Sequence, residues 1–119
     1  MSPTLTEAQK PTFTVEIERK TDVAVVHCRG RLVAGVTNLL QSEVKPLILP
    51  NQRVVLELTA LTRMDSMGLG TILGLAVSAK RAGCQLELVN LGKQIRQLFA
   101  ITNLLTMFES AGDNSFRIP

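Results

Sequence analysis

The 119-residue chain contains no tryptophan and no tyrosine, and only four phenylalanines. Rings on which unpaired bases could stack are therefore scarce. The Lys and Arg residues are scattered (Arg19, Lys20, Arg53, Arg63, Lys80, Arg81, Lys93, Arg96), so the net charge of +3 reads as an ordinary solvated surface and nucleic acid is not expected as a partner. Histidine is nearly absent: His27 stands alone, with no carboxylate near it in sequence, and cannot build a histidine metal cluster. The two cysteines, Cys28 and Cys84, form no C-x-x-C pair. Each sits in an apolar alternating run, where a thiol packs as a small hydrophobe, so neither a disulfide framework nor a thiolate zinc site is expected. No uninterrupted apolar stretch of about 18 residues occurs, which excludes a membrane-spanning helix. The opening MSPTLTEAQKPTF has no apolar core behind a basic start, so no secretory signal is expected and the cytoplasm is the expected location.

What is present is a soluble globular mix, 45% hydrophobic and 19% charged, of a length that suits one domain with tails. Residues 1–12 are polar with two prolines and read as a flexible leader. From Phe13 the pattern alternates: Phe13, Val15 and Ile17 against Thr14, Glu16 and Glu18, a strand with one wet face. After the turn Lys20-Thr21-Asp22, Val23 to Cys28 is nearly continuous in apolar residues, a buried strand in a hairpin with the first. Val36, Leu39, Leu40, Val44 and Leu47 lie on one helical face, ended by Pro46 and Pro50. Arg53 to Leu58 predicts a third strand and TALTRMD a loop. A second helix is expected from Ser66 to Ala82, inward on Leu69, Ile72, Leu73, Ala76 and Ala79, with Gly83 as its stop. Gln85 to Asn90 predicts a fourth strand, and Lys93 to Ile101 a third helix burying Ile95, Leu98 and Phe99.

The order β-β-α-β-α-β-α predicts an α/β fold. Its sheet is four-stranded and mixed, strand 1 antiparallel and strands 2–4 parallel, covered mainly on one face by helices. The expected domain spans 13–109, followed by a loose polar tail over 110–119.

One stretch is unusual: Arg63-Met64-Asp65-Ser66-Met67-Gly68-Leu69-Gly70, continuing to Gly74. It falls between strand 3 and helix 2, at the carboxyl ends of the parallel strands, where ligands and partners dock. Asp65 or Ser66 suits a helix N-cap. Glycines early in a helix cost about 1 kcal/mol each against alanine. They imply either close packing of helix on sheet or a side-chain-free patch for a partner's backbone. The spacing Gly68-x-Gly70-x-x-x-Gly74 is not the dinucleotide fingerprint, and no G-x-x-x-x-G-K-[ST] occurs. Ser66 lacks a G-x-S-x-G elbow, and no spacing forces Glu57, Asp65 and Glu87 together for acid–base work. Catalysis is not expected, nor a metal or cofactor.

The core Asp65-Ser66-x-Gly68-Leu69-Gly70 resembles the signature of STAS domains, the bacterial anti-sigma factor antagonists, together with Gly30-Arg31-Leu32, the Leu86–Asn90 strand and the run Gln97 to Thr102 before Phe108. The resemblance implies a non-enzymatic switch in transcription regulation. Its partner would be an anti-sigma factor with serine kinase activity, which phosphorylates Ser66, and a protein phosphatase would restore binding. It places the partner surface at Asp65, Ser66, Met67, Gly68, Leu69, Gly70, Arg31 and Val33. In two places the chain departs from the family pattern: Met67 stands where Ser or Thr is common, and Val33 where an Asp usually follows G-x-L. Two other readings stay open: an unphosphorylated STAS-like scaffold in a signalling or lipid-transport assembly, and a small-ligand or nucleotide-binding module.

Overall fold

The computed structural model describes residues 12–101, together with the backbone of 109–112 and 115–117. The leader over 1–12 thus falls outside the described residues except for Thr12, as do Thr102 and Phe108. Strands β1 (Phe13–Arg19) and β2 (Val23–Leu32) form the expected antiparallel hairpin, with Phe13 opposite Gly30 and Arg19 opposite Ala24. Helix α1 (Thr37–Val44) leads through a 3-10 turn (Lys45–Leu47) into β3 (Arg53–Met64). Helix α2 (Ser66–Ala82), β4 (Gln85–Val89) and α3 (Lys93–Ile101) follow. β2, β3 and β4 run parallel, as the strand–helix alternation requires.

Three differences from the sequence expectation have physical causes. The segment 59–64, expected as a loop, continues β3 to Met64, and β2 likewise runs on to Leu32. The pairing of these extensions contains register shifts between His27 and Arg29 and between Gly30 and Arg31, so irregularity replaces the clean alternation that marks a strand in sequence. The tail expected to be loose contributes two short strands, β5 (Glu109–Gly112) and β6 (Ser115–Arg117). β6 pairs antiparallel with β4, extending the expected four strands to six in the order β1-β2-β3-β4-β6-β5. Such short polar strands take their stability from the backbone ladder of a neighbour, and composition does not reveal them. Finally, the helix expected over 36–47 is α-helical only to Val44, because Pro46 cannot donate to an i−4 carbonyl.

Alternation sorts the strands into two faces. Val26, Cys28 and Leu32 of β2, Val54, Leu56 and Leu58 of β3, and Leu86 and Leu88 of β4 join the buried residues of the helices in one apolar core. Helix α2 contributes Leu69, Ile72, Leu75, Ala76 and Ala79, so Leu75 takes a core place expected for Leu73, which is only half-buried. Phe99 of α3 is wholly buried, and truncating such a ring costs about 3–5 kcal/mol. The other face carries Thr14, Glu16, His27, Arg29, Glu57 and Thr59. It is there that Arg53 Nε and Nη2 donate to the two oxygens of buried Glu87 at 2.9 and 3.1 Å. No helix among the described residues is long and apolar enough to cross a membrane.

Candidate functional site at the strand-to-helix junction

β4 ends at Val89, opposite Glu57, so the last turn of β3 projects beyond it and delivers Asp65 to the start of α2. Of the two residues suited to the cap, Asp65 takes it, in extended conformation (φ −106°, ψ −175°). Its Oδ1 accepts from the Gly68 N–H at 2.9 Å, satisfying one of the free donors of the first turn. Its Oδ2 accepts from the Ala34 N–H, also at 2.9 Å, in the loop after β2. One carboxylate thus ties two loops together at the carboxyl edge of the sheet. The N–H groups of Ala34 and Gly68, with that of Met67, hold its pKa below the ordinary Asp value of 3.8.

Ser66 is the first residue of α2 and is exposed. Its hydroxyl has no hydrogen-bond partner among the described residues. Met67 beside it is 57% exposed. The glycines then divide by role. A β-carbon on Gly68 would stand 2.2 Å from the Leu32 carbonyl oxygen, so Gly68 is what lets α2 lie against the end of β2. Around Gly70 and Gly74 the same β-carbon would meet nothing within 4 Å, and both residues are exposed. Spaced four apart from Ser66, they leave a strip of bare helix running away from the serine. The expectation of close packing therefore holds at Gly68, while Gly70 and Gly74 serve no packing contact of that kind.

Of the remaining expected surface residues, Leu69 is buried in the core and Val33 is half-buried; Arg31 is exposed near the end of β2. The structure brings Arg31, Val33, Asp65, Ser66, Met67 and Gly70 to one edge of the sheet and takes Leu69 inward. Glu57, Asp65 and Glu87 do not form a common site. Glu57 accepts from the Thr59 hydroxyl, from the Thr59 N–H at 2.9 Å and from Asn90 Nδ2 at 3.1 Å. Glu87 is engaged by Arg53, and Asp65 by backbone.

Sequence reasoning treated His27 as a plain strand residue. The sheet instead sets its Nε2 3.3 Å from Glu18 and its Nδ1 3.4 Å from Glu57, beside a hollow of about 500 Å³ on the open face. Both carboxylates arrive from neighbouring strands, so only knowledge of the register could have found them. Burial pushes the Glu57 carboxyl up, but the Thr59, Asn90 and His27 donors outweigh it and hold Glu57 below the ordinary value. The cysteines behave as expected: Cys28 and Cys84 are free and buried, and desolvation together with the Glu57 charge lifts the Cys28 thiol to about 12.

The order of strands and helices has counterparts among known proteins. Three solved structures superpose well. An anti-sigma factor antagonist from Mycobacterium paratuberculosis is 20% identical, with 79% of this chain and 80% of that one covered and a TM-score of 0.69. The proposed anti-sigma factor antagonist TM1081 of Thermotoga maritima is 22% identical, covering 76% and 79%, with a TM-score of 0.68. The Bacillus cell fate determinant SpoIIAA, in its phosphorylated form, is 22% identical over 76% and 85%, with a TM-score of 0.60. At these identities the likeness establishes the shared fold. The STAS domain model matches residues 14–115, nearly the whole described chain, and the chain belongs to the STAS domain family.

Proposed function

We propose that this chain is a cytoplasmic, non-enzymatic switch: an anti-sigma factor antagonist that binds an anti-sigma factor with serine kinase activity and is turned off by phosphorylation of Ser66. The observation that carries the reading is the exposed Ser66 hydroxyl, without a hydrogen-bond partner among the described residues, at the first residue of α2 beside a carboxylate already committed to the cap. A kinase can reach this oxygen without unfolding anything. The helix N-terminus tolerates the phosphate, because free N–H groups and the helix dipole favour an anion there. A docked partner does not: the modification adds about −1.5 to −2 charge and its own bulk to the contact surface. A loss of about 3 kcal/mol weakens a complex more than a hundredfold, so no refolding is needed to release the partner. A phosphatase resets the switch. The similar structure solved in a phosphorylated form supports this reading, as does the shared fold.

The test is incubation with ATP and an anti-sigma kinase encoded beside this chain's gene, followed by intact mass measurement. The expected result is a gain of about 80 Da, one phosphate, that disappears in Ser66→Ala and abolishes binding to the kinase. A kinase that binds the chain and leaves its mass unchanged overturns the proposal.

A further inference from the structure

The parallel pairing of β2 and β3 places Arg31 directly beside Arg63, one step before the buried pair Leu32 and Met64. Neighbouring strands lie about 4.8 Å apart, and like charges on adjacent positions repel. Both arginines are exposed, and neither guanidinium has a hydrogen-bond or ion-pair partner among the described residues. The nearest acidic residue in sequence, Asp65, is spent on the Ala34 and Gly68 N–H groups. Of the other described strand arginines, Arg53 makes a bidentate pair with Glu87, whereas Arg19 and Arg29 have no side-chain partner among the described residues, so what sets Arg31 and Arg63 apart is that they stand side by side.

A second feature adjoins the pair. Because β4 stops opposite Glu57, the projecting end of β3 is flanked by α3, leaving a groove of about 450 Å³. Arg63 stands in its wall with Ile95, Leu98 and Ile101, and Gln94 and Gln97 add amide groups. Ile101 is 82% exposed, so the groove offers apolar surface to an incoming side chain.

Resting on the proposed switch, we infer that the Arg31–Arg63 pair and the adjoining groove form the docking site for an acidic segment of the partner protein. Carboxylates of that segment bridge the two guanidiniums, relieving their repulsion, while an apolar side chain of the same segment enters the groove against Ile95 and Ile101. Arginine suits this task because its planar fork binds carboxylate bidentately. The site lies on the same edge of the sheet as Ser66. A phosphate added there carries the same sign as the docking segment and competes with it for the arginines, which gives the switch an electrostatic arm besides the steric one.

The test uses the full chain and three fluorescein-labelled nine-residue peptides: a Glu-Asp-Leu repeat, a Glu-Asp-Ser repeat and a Lys-Lys-Leu repeat. Fluorescence anisotropy is expected to show binding of the first, weaker binding of the second and none of the third. Arg31→Glu and Arg63→Glu are each expected to weaken the first peptide about tenfold or more, whereas Arg19→Glu, the same charge change at the far end of the sheet, leaves it unchanged. Thermal melts of the three variants control for folding. Failure of the Glu-Asp-Leu peptide to bind overturns the inference, as does equal weakening by Arg19→Glu. Competition by duplex DNA as effective as by the peptide overturns it too, because the patch is then a general polyanion surface. The two proposals fail separately: a chain that binds the acidic peptide but is never phosphorylated keeps the docking site and loses the switch, and the reverse outcome does the opposite.

Discussion

The two ends of the parallel sheet are built on different terms. At the amino end Arg53 is matched by Glu87 through two hydrogen bonds, and Lys20 stands 3.9 Å from Glu18. At the carboxyl end the capping carboxylate is matched by backbone instead. Asp65 satisfies two N–H groups, while Met67 is exposed and the side chains of Arg31, Arg63 and Ser66 are exposed with no hydrogen-bond or ion-pair partner among the described residues. The amino end thus holds its buried carboxylate with a side chain of its own chain, whereas the carboxyl end holds its carboxylate with backbone and keeps two adjacent guanidiniums exposed. Parallel sheets bind at their carboxyl ends for this reason: helix N-termini gather there and the connecting loops need not cover the strands.

The largest expected effect probes the joint that holds the two loops of the carboxyl end together. Gly68→Ala drives a β-carbon to within 2.2 Å of the Leu32 carbonyl oxygen, a backbone atom that cannot swing aside. Helix α2 must lift from the end of β2, and overpacking of this kind costs about 1–3 kcal/mol. Urea unfolding is expected to show that loss, accompanied by loss of partner binding, since Asp65 and Ser66 move with the helix. Unchanged stability would mean that the junction is loose and that Gly68 has no packing role.

The comparison itself is tested by making one substitution at both ends. Arg53→Met leaves the Glu87 carboxylate, 6% exposed, without its donor pair, and is expected to cost about 1–2 kcal/mol. That figure lies at the low end for a stranded buried charge because half of the Arg53 side chain is in water. Arg63→Met removes a guanidinium that has no partner among the described residues and is expected to change stability by no more than about 0.5 kcal/mol. Equal costs at the two positions would erase the distinction between a matched and an unmatched end.

A third measurement follows stability into acid. Glu57 has its folded-state pKa held below the usual carboxylate value of 4.5 by its donors. A group depressed in this way contributes stability that is present above its unfolded value and lost as the pH falls through the folded one. Stability is therefore expected to decline from about pH 4.5 downward, and Glu57→Gln to flatten that decline while lowering stability at neutral pH. An unaltered acid limb in Glu57→Gln would show that the Thr59 and Asn90 hydrogen bonds do not favour the charged form.

Much of this was legible in the sequence, and what was not shares a cause. Helix α2 was visible to the residue because Asp65 supplies a cap, Gly83 a left-handed stop (φ 73°) and the leucines and alanines a periodic face. Four strands and their directions followed from alternation and from the intervening helices. The extension of β3 to Met64 was hidden because its pairing with β2 slips register, so Leu61 and Met64 are buried three residues apart. β6 was hidden because its partner, β4, lies some thirty residues earlier in the chain. The arginine pair and the His27 cluster were hidden for the same reason. Arg31 meets Arg63, and His27 meets Glu18 and Glu57, only once strands distant in sequence are set side by side. The serine could be read locally because helix starts are local; its surroundings could not.

The smallest expected effect decides what the exposed glycines are for. A methyl group at Gly70 or Gly74 meets no atom within 4 Å and falls on an ordinary helical backbone. Each change to alanine removes the entropy cost of glycine in a helix, so each is expected to raise stability by up to about 1 kcal/mol. On the proposed function, a gain left untaken twice on one strip beginning at Ser66 is stability given up for close approach by the partner. On that reasoning Gly70→Ala and Gly74→Ala make the domain more stable in urea and its complex with the anti-sigma kinase weaker, with Gly70 the more sensitive because it lies one turn from the serine. Stability and binding then move in opposite directions, a signature that a mere folding defect cannot produce. If both variants gain stability and bind as before, the strip has no partner, and the docking surface contracts to the arginine pair and the groove beside α3.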